Sequence, residues 1–423
     1  MRSMDAAMAL CLALGALAAH GDVPVEAPDL PPPAMVERVL LSQPSVLAAR
    51  AELGADEAGR MRLRVGSYES TLRVAAQQRR VDETAARYGE WDVGVERTLR
   101  LPGKARIDAQ LGDRLVERGR SAYGDALHEA GRGLLRGWFA WLRESAQAQH
   151  WQAQVDVLRE QLGVVEKRVR AGDAARLDES LAAAALDQAD AQRALAAARE
   201  RAAAAELEHR YSGIELPQAP VTVGPPAVEQ PFEFWRERSL QESHELMLAR
   251  HESARAQLTA RRADADLRPD PTVGVRYASE RSGSERVVGL SLAIPLPGQG
   301  RNALADAAGA MTQAAAQREA AVLRKLEAEI ATQHAQALAM HESWQRMQQV
   351  ADRIERNARL QSRAYALGET PLGELLTARR QAIEARLAAT IARFDAAEAR
   401  YRLMLDAHLI WDFDTMSDSS HSR

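Results

Sequence analysis

Two stretches decide the fold: Trp91-Asp92-Val93-Gly94-Val95-Glu96-Arg97-Thr98-Leu99-Arg100-Leu101-Pro102-Gly103-Lys104-Ala105-Arg106 and Val288-Gly289-Leu290-Ser291-Leu292-Ala293-Ile294-Pro295-Leu296-Pro297-Gly298-Gln299-Gly300-Arg301. Each alternates apolar and polar residues, as a strand with two different faces does. Each stops at Leu-Pro-Gly, because Pro cannot continue a ladder and Gly permits a sharp exit. After each stop comes a proline-free, helix-forming stretch of about sixty-five residues, a rod of roughly 100 Å at 1.5 Å per residue. A strand feeding such a rod, twice in one chain, sets the plan.

Outward from these stretches, each strand gains a partner. Before the first, Tyr68, Leu72, Val74 and Ala76 share one face of a strand, and Glu69, Thr71, Arg73 and Gln77 the other. The polar run 79–87 then reads as the reversing loop. In the second strand Trp91, Val93, Val95, Leu99 and Leu101 form the apolar face, which Arg97 interrupts; Asp92, Glu96, Thr98 and Arg100 form the polar one. In the second half Val273, Val275 and Tyr277 alternate with Thr272, Gly274 and Arg276, and Ser-Gly-Ser turn chemistry follows before the second opening strand. Strands of about ten residues span a bilayer when tilted.

The rods carry seams of 3-4 spacing, the pattern of a coiled coil. In the first the seam is Ala148, Trp151, Val155, Leu158, Leu162, Val165 and Val169, and in its returning helix Leu181, Ala184, Ala191, Leu195, Ala198, Ala202 and Ala205. In the second rod it is Met340, Trp344, Met347, Ala351, Ile354 and Ala358. The rods break at Ala171-Gly172-Asp173 and Leu367-Gly368-Glu369-Thr370-Pro371, where Gly supplies a left-handed cap.

The whole chain therefore divides as follows. Residues 1–18 read as a signal peptide, with a positive start, a short apolar stretch and small residues at the cleavage point. Residues 19–211 form a first repeat, with strands at about 68–78 and 88–101 and a long helix at about 104–170. A proline-rich link occupies 212–230. A second repeat spans 231–411, with strands at about 272–279 and 287–296 and a long helix at about 302–367. A polar tail, 412–423, is expected to be disordered. The fold class is α+β, mainly α, built from a duplicated helix, hairpin, long helix, turn and returning helix.

Composition supports this. Of 423 residues only 4% are aromatic, while Ala, Arg, Glu, Gln and Leu dominate, as in long helices. A net charge of −4 argues against a nucleic-acid surface. The single cysteine, Cys11, lies in the expected signal peptide, so the processed chain would have no thiol chemistry. No Walker loop, HExxH or CxxC occurs, and no catalytic residue or cofactor is expected. His128, His150, His334 and His341 are scattered, and Glu206-Leu207-Glu208-His209 stands alone, so no metal site is expected either. No apolar run beyond the signal is long enough for a transmembrane helix.

Four strands with one apolar face cannot close a barrel, and alone they expose edges. Three chains would supply twelve strands, enough to close around a lumen. With the duplicated plan, the Leu101-Pro102-Gly103-Lys104 and Pro295-to-Arg301 exits and the paired helix breaks, the chain resembles the TolC-like outer-membrane efflux proteins, and within them the branch serving heavy-metal and cation efflux pumps. The resemblance implies a homotrimeric conduit in the outer membrane that extends into the periplasm. Its partners would be a periplasmic adaptor (membrane fusion) protein, an inner-membrane RND-type pump and outer-membrane lipid, and its cargo heavy-metal cations. It further implies that adaptor docking and the periplasmic gate fall on Gly172, Asp173, Arg176, Leu177 and Asp178, and on Gly368, Glu369, Thr370, Leu372, Glu374 and Leu375, with Pro102, Gly103, Pro297 and Gly298 as strand-to-helix exits. The alternatives are a periplasmic coiled-coil adaptor, or a TolC-like conduit for drugs or type I secretion.

Overall fold

The computed structural model describes residues 28–218 and 223–413. The expected signal peptide with Cys11, residues 219–222 of the proline-rich link and the tail from 414 lie outside the described residues.

The first repeat runs α1 (Pro33–Leu41), α2 (Pro44–Val65), β1 (Ser70–Val81), β2 (Ala86–Thr98), α3 (Pro102–Ala171) and α4 (Arg176–Arg210). The second runs α5 (Phe232–Glu242), α6 (His244–Asp266), β3 (Thr272–Glu280), a 3₁₀ turn (Arg281–Gly283), β4 (Glu285–Ala293), α7 (Gln299–Ala366) and α8 (Leu372–Asp406). Local chemistry explains the boundaries. Pro44 and Pro102 sit at the first helical position, where no N–H is needed. The Ser243 hydroxyl caps α6 by accepting from the Leu246 N–H at 3.2 Å. At 70 and 68 residues, α3 and α7 are each about 100 Å long.

The four strands form one antiparallel sheet in the order β1-β2-β3-β4. The two hairpins therefore join through β2 and β3. Two apolar rows cross the sheet: Leu72, Val95, Val275 and Leu290, then Val74, Val93, Tyr277 and Val288. The other face is polar and cross-linked, with Arg73 to Glu96 and Arg276 to Asp92 both at 2.8 Å.

Several expectations are corrected here. The polar run 79–87 is mostly strand, and the turn spans only 82–85, with Ala85 left-handed at φ 51°. Arg79 stays in the ladder because Glu90 and Glu280 neutralise it. Strands β1 and β2 thus lie at 70–81 and 86–98 rather than 68–78 and 88–101. Strand β4 ends at Ala293 rather than 296, because Pro295 and Pro297 cannot donate to a ladder.

The seams are corrected too. On α4 the buried column is Ala182, Ala189 and Ala196, while the expected Leu181 and Leu195 are exposed. On α7 the expected Ala351 and Ala358 are buried, in a column with Ile330, Ala337 and Tyr365, while the expected Met340 and Met347 are exposed. Small alanines let paired helices approach closely, so the alanine column turns inward and the bulkier column outward. The α3 seam keeps Val155, Leu158 and Val165 buried as expected.

The main core lies midway along the rods. Trp138, Phe139, Trp141 and Leu142 of α3 meet Phe394, Tyr401 and Leu405 of α8, with Val36 and Leu40 of α1 closing over them.

Candidate functional site: the tips, the exits and the sheet face

At the first tip Gly172 is left-handed at φ 80°. Its N–H donates to the Val169 carbonyl at 3.0 Å, and the Asp173 N–H donates to Arg168 at 2.8 Å. At the second tip Gly368, at φ 77°, donates to Tyr365 at 3.0 Å, and Glu369 donates to Ala364 at 2.9 Å. Both are the same paired-bond helix stop, which only glycine makes without strain. The two tips are therefore built alike from two unlike sequences.

They differ in what they bury. Leu177 is 67% exposed, and Arg176 is exposed beside it. Leu372 and Leu375 are turned inward, Leu375 to 0% exposure. They pack with Val165, Ala182 and Tyr365 in a small core that draws α3, α4, α7 and α8 together. The Arg168 guanidinium lies 5.3 Å from the centre of the Tyr365 ring and covers that core. Asp173, Glu369 and Glu374 are exposed, while Asp178 and Thr370 are half-buried. Asp178 and Glu374 also sit in the first turns of α4 and α8, where the helix dipole favours a carboxylate. Both tips thus present acid to solvent at one end of the molecule.

At the opposite end the exits differ again. Pro102 and Gly103 open α3 on the surface, and the next residue, Lys104, turns inward. Lys104 Nζ lies 2.9 Å from Asp266 and 3.0 Å from Asp270. The Tyr68 hydroxyl donates to Asp270 at 2.8 Å, and the Leu101 N–H at 3.1 Å. Arg262 binds Asp108 at 2.6 Å and also Asp266, and Arg100 binds Asp108 at 2.9 Å. This ion network fastens α2, α3, α6 and the lead-in to β3 at one point. The sequence reading missed it. The signal lay in Pro269-Asp270-Pro271, a carboxylate held between two rigid residues. Pro297 and Gly298 form an exposed exit without such a lock in the single chain, where Arg301 donates to the Asp266 carbonyl at 2.6 Å.

A second buried ionic group was also missed. Asp406 accepts from His128 at 3.1 Å, from Arg132 at 2.8 Å and from Arg402 at 3.0 Å. Burial works against its charge, but the His128 hydrogen bond and the two arginines hold its carboxyl well below the usual range. Burial keeps the His128 imidazole below its ordinary value. His408 stacks on His128 with ring centres 5.0 Å apart. Among the described residues no group of His, Cys, Asp and Glu side chains is placed to hold a metal ion, and no helix is long and apolar enough to cross a membrane.

The sheet has the most open apolar surface. Leu72, Val74, Val288, Leu290 and Leu292 are all at least 65% exposed on one face. Beyond β4, Leu296 is 92% exposed. A single chain leaves this face bare, and with it the outer edges of β1 and β4.

The family model described as outer membrane efflux protein matches residues 235–405, from α5 into the end of α8. No curated protein matches the chain. Among solved structures, the CmeC outer membrane channel of Campylobacter jejuni aligns with a TM-score of 0.75 at 12% identity, over 92% of this chain and 87% of that one. CusC aligns at 0.72 and 15% identity, over 88% and 91%. VceC, an outer membrane protein of Vibrio cholerae, aligns at 0.71 and 17% identity, over 88% and 95%. At such identities the likeness is one of fold. The likeness to the outer membrane efflux protein family therefore covers the second repeat, and the likeness in fold to these outer membrane channels covers nearly the whole chain.

Proposed function

We propose that this protein is the outer-membrane channel of a tripartite efflux system and works as a homotrimer. Three four-stranded sheets close into a twelve-stranded barrel with the apolar rows toward lipid and the polar face toward a water-filled lumen. The long helices continue the lumen through the periplasm. The tips dock a periplasmic adaptor, which couples the channel to an inner-membrane RND-type pump. The observation that carries this reading is the bare sheet: one continuous exposed apolar face and two unpaired edges, at the head of rods about 100 Å long.

The cargo we propose is heavy-metal cations. Asp173, Glu369 and Glu374, exposed at one end, would be repeated three times around a narrow opening and would favour cations there. Leu177 and Arg176 offer the adaptor an exposed apolar and basic contact, while Leu372 and Leu375 hold the second tip in shape behind it.

The test is cross-linking of detergent-extracted protein, which should stop at three chains. A processed chain that stays monomeric in plain buffer removes the proposal. Cargo is tested by returning the gene to a strain that lacks its own channel. Restored resistance to metal cations is expected, and restored resistance to lipophilic drugs alone would reassign the cargo.

A further inference from the structure

The internal joint between β2 and β3 has a counterpart that a single chain leaves open, and the element bounds and strand registers of the two repeats let that counterpart be read residue by residue. Lys104 and Arg301 are each the third residue of their long helix. Glu69 and Asp270 each stand four residues beyond the end of the preceding helix, at Val65 and Asp266. The hairpins agree with these anchors. Leu72, three residues after Glu69, pairs with Val95, nine before Lys104. Val273, three after Asp270, pairs with Leu292, nine before Arg301. The correspondence closes without a slip.

We infer that β4 pairs with β1 of the partner subunit in the register that β3 and β2 adopt within one chain, and that Arg301 reaches Glu69 of the partner subunit as Lys104 reaches Asp270. This rests on the trimeric channel reading and deepens it. Within the chain Arg97 faces Val273, and Val95 faces Val275. Transposed, Ile294 faces Leu72 of the partner subunit, and Leu292 faces Val74 of the partner subunit. All four side chains are more than half exposed in the single chain.

Pro295 gives an independent check. Leu99 donates its N–H to the Pro271 carbonyl at 2.8 Å, so the adjacent pair, Thr98 with Thr272, is a non-hydrogen-bonded pair. Pro295 takes the place of Thr98 in the transposed joint, where its missing N–H costs nothing. A slip by one residue would put the proline at a bonding position and turn the apolar row inward. Charge agrees as well. Glu69 is exposed. Arg301 spends one donor on the Asp266 carbonyl, and a guanidinium has five.

The register is tested with paired cysteines in full-length, detergent-extracted protein carrying Cys11→Ser. Ala293 takes the place of Glu96, which faces Gly274, so Ala293 should face Arg73 of the partner subunit. At such a non-hydrogen-bonded pair the Cα atoms are about 4.5 Å apart, within disulfide reach. Ala293→Cys with Arg73→Cys should oxidise to two- and three-chain species several-fold more than Ala293→Cys with Thr71→Cys or Ala75→Cys. A higher yield from either control overturns the register, as does a trimer that cross-links in none of the three. A monomer would remove the channel reading itself and the joint with it. For the ion pair, Arg301→Glu should lower the temperature at which the detergent-extracted trimer separates into single chains, and Arg301→Glu with Glu69→Arg should restore it. A double variant no better than the single one overturns the pair.

Discussion

Lys104 Nζ lies 3.0 Å from Oδ1 of Asp270, and each side chain is only 2% exposed. The pair joins the first turn of one repeat's long helix to the strand lead-in of the other, so the joint between hairpins is fastened where sheet becomes helix. Removing one partner strands the other charge in a buried place, which costs about 3–5 kcal/mol. Lys104→Met is therefore expected to lower the thermal midpoint of the extracted protein strongly. Lys104→Met with Asp270→Leu should recover part of the loss, although the Tyr68 hydroxyl then loses its acceptor. Circular dichroism melts of the three proteins check this, and equal midpoints for single and double variants would contradict it.

The tips should respond unequally to charge. Leu375→Glu places a carboxylate in the small core with Val165, Ala182 and Tyr365. An unpaired buried charge is not tolerated there, so both hairpin ends should loosen and become sensitive to limited proteolysis. Leu177→Glu changes an exposed side chain, so the tip should keep its protease resistance while export falls. Export equal to wild type in the Leu177 variant would remove that residue from the proposed docking surface.

The ionic group around Asp406 predicts a direction for pH. The His128 imidazole is held below its ordinary value by burial, so the folded chain refuses a proton that the unfolded chain accepts. Stability is full above the ordinary histidine value of about 6.5 and falls as the solution is acidified through it. Asp406, with its carboxyl held low, adds a further loss only below the ordinary aspartate value of about 3.9. Asp125, Glu245, Glu329, His244 and His408 line the same small cavity and share its field. His128→Gln keeps a donor for Asp406 without a titrating ring. Its thermal midpoint should fall less than that of wild type between about pH 7.5 and pH 5; parallel curves would place the pH response elsewhere.

Close helix approach gives a fourth test. A Cβ at Gly112 would stand 3.0 Å from Cγ and 3.1 Å from Cα of Arg60, so α2 can lie on α3 only over a bare backbone. Gly112→Ala should cost about 1–3 kcal/mol by forcing the helices apart. Gly54, on α2, has nothing within 4 Å of a built Cβ. Gly54→Ala should stabilise by about 0.5–1 kcal/mol. Opposite shifts of the two melting midpoints are expected.

Much of this molecule was legible along the chain because its signals are local. Pro102 ends a strand and opens a helix, and Gly172 and Gly368 close theirs, through backbone geometry that needs no distant partner. The alternation through Val93, Val95, Val273 and Val275 marks a two-faced strand wherever it occurs. The polar run 79–87 was misread for the opposite reason. Arg79 remains in its strand only because Glu90 and Glu280 lie beside it, one of them from the other repeat.

The site was less legible. Which residues cap each tip could be read, but not which of them face inward. Leu177 and Leu375 look alike in sequence, yet one is 67% exposed and the other 0%. The difference arises from Val165 and Tyr365, which close over the second tip alone.

By itself the sequence determined two strand-fed rods, their breaks and the doubling of the plan, since periodicity, proline and glycine act within a few residues. Only the tertiary structure decided which column of α4 turns inward, how Asp270 comes to neutralise Lys104, and that β2 rather than an outer strand joins the hairpins. Those choices depend on competition among surfaces far apart in the chain. Close approach favours the alanine column, and a buried charge settles only where a partner from another element can reach it.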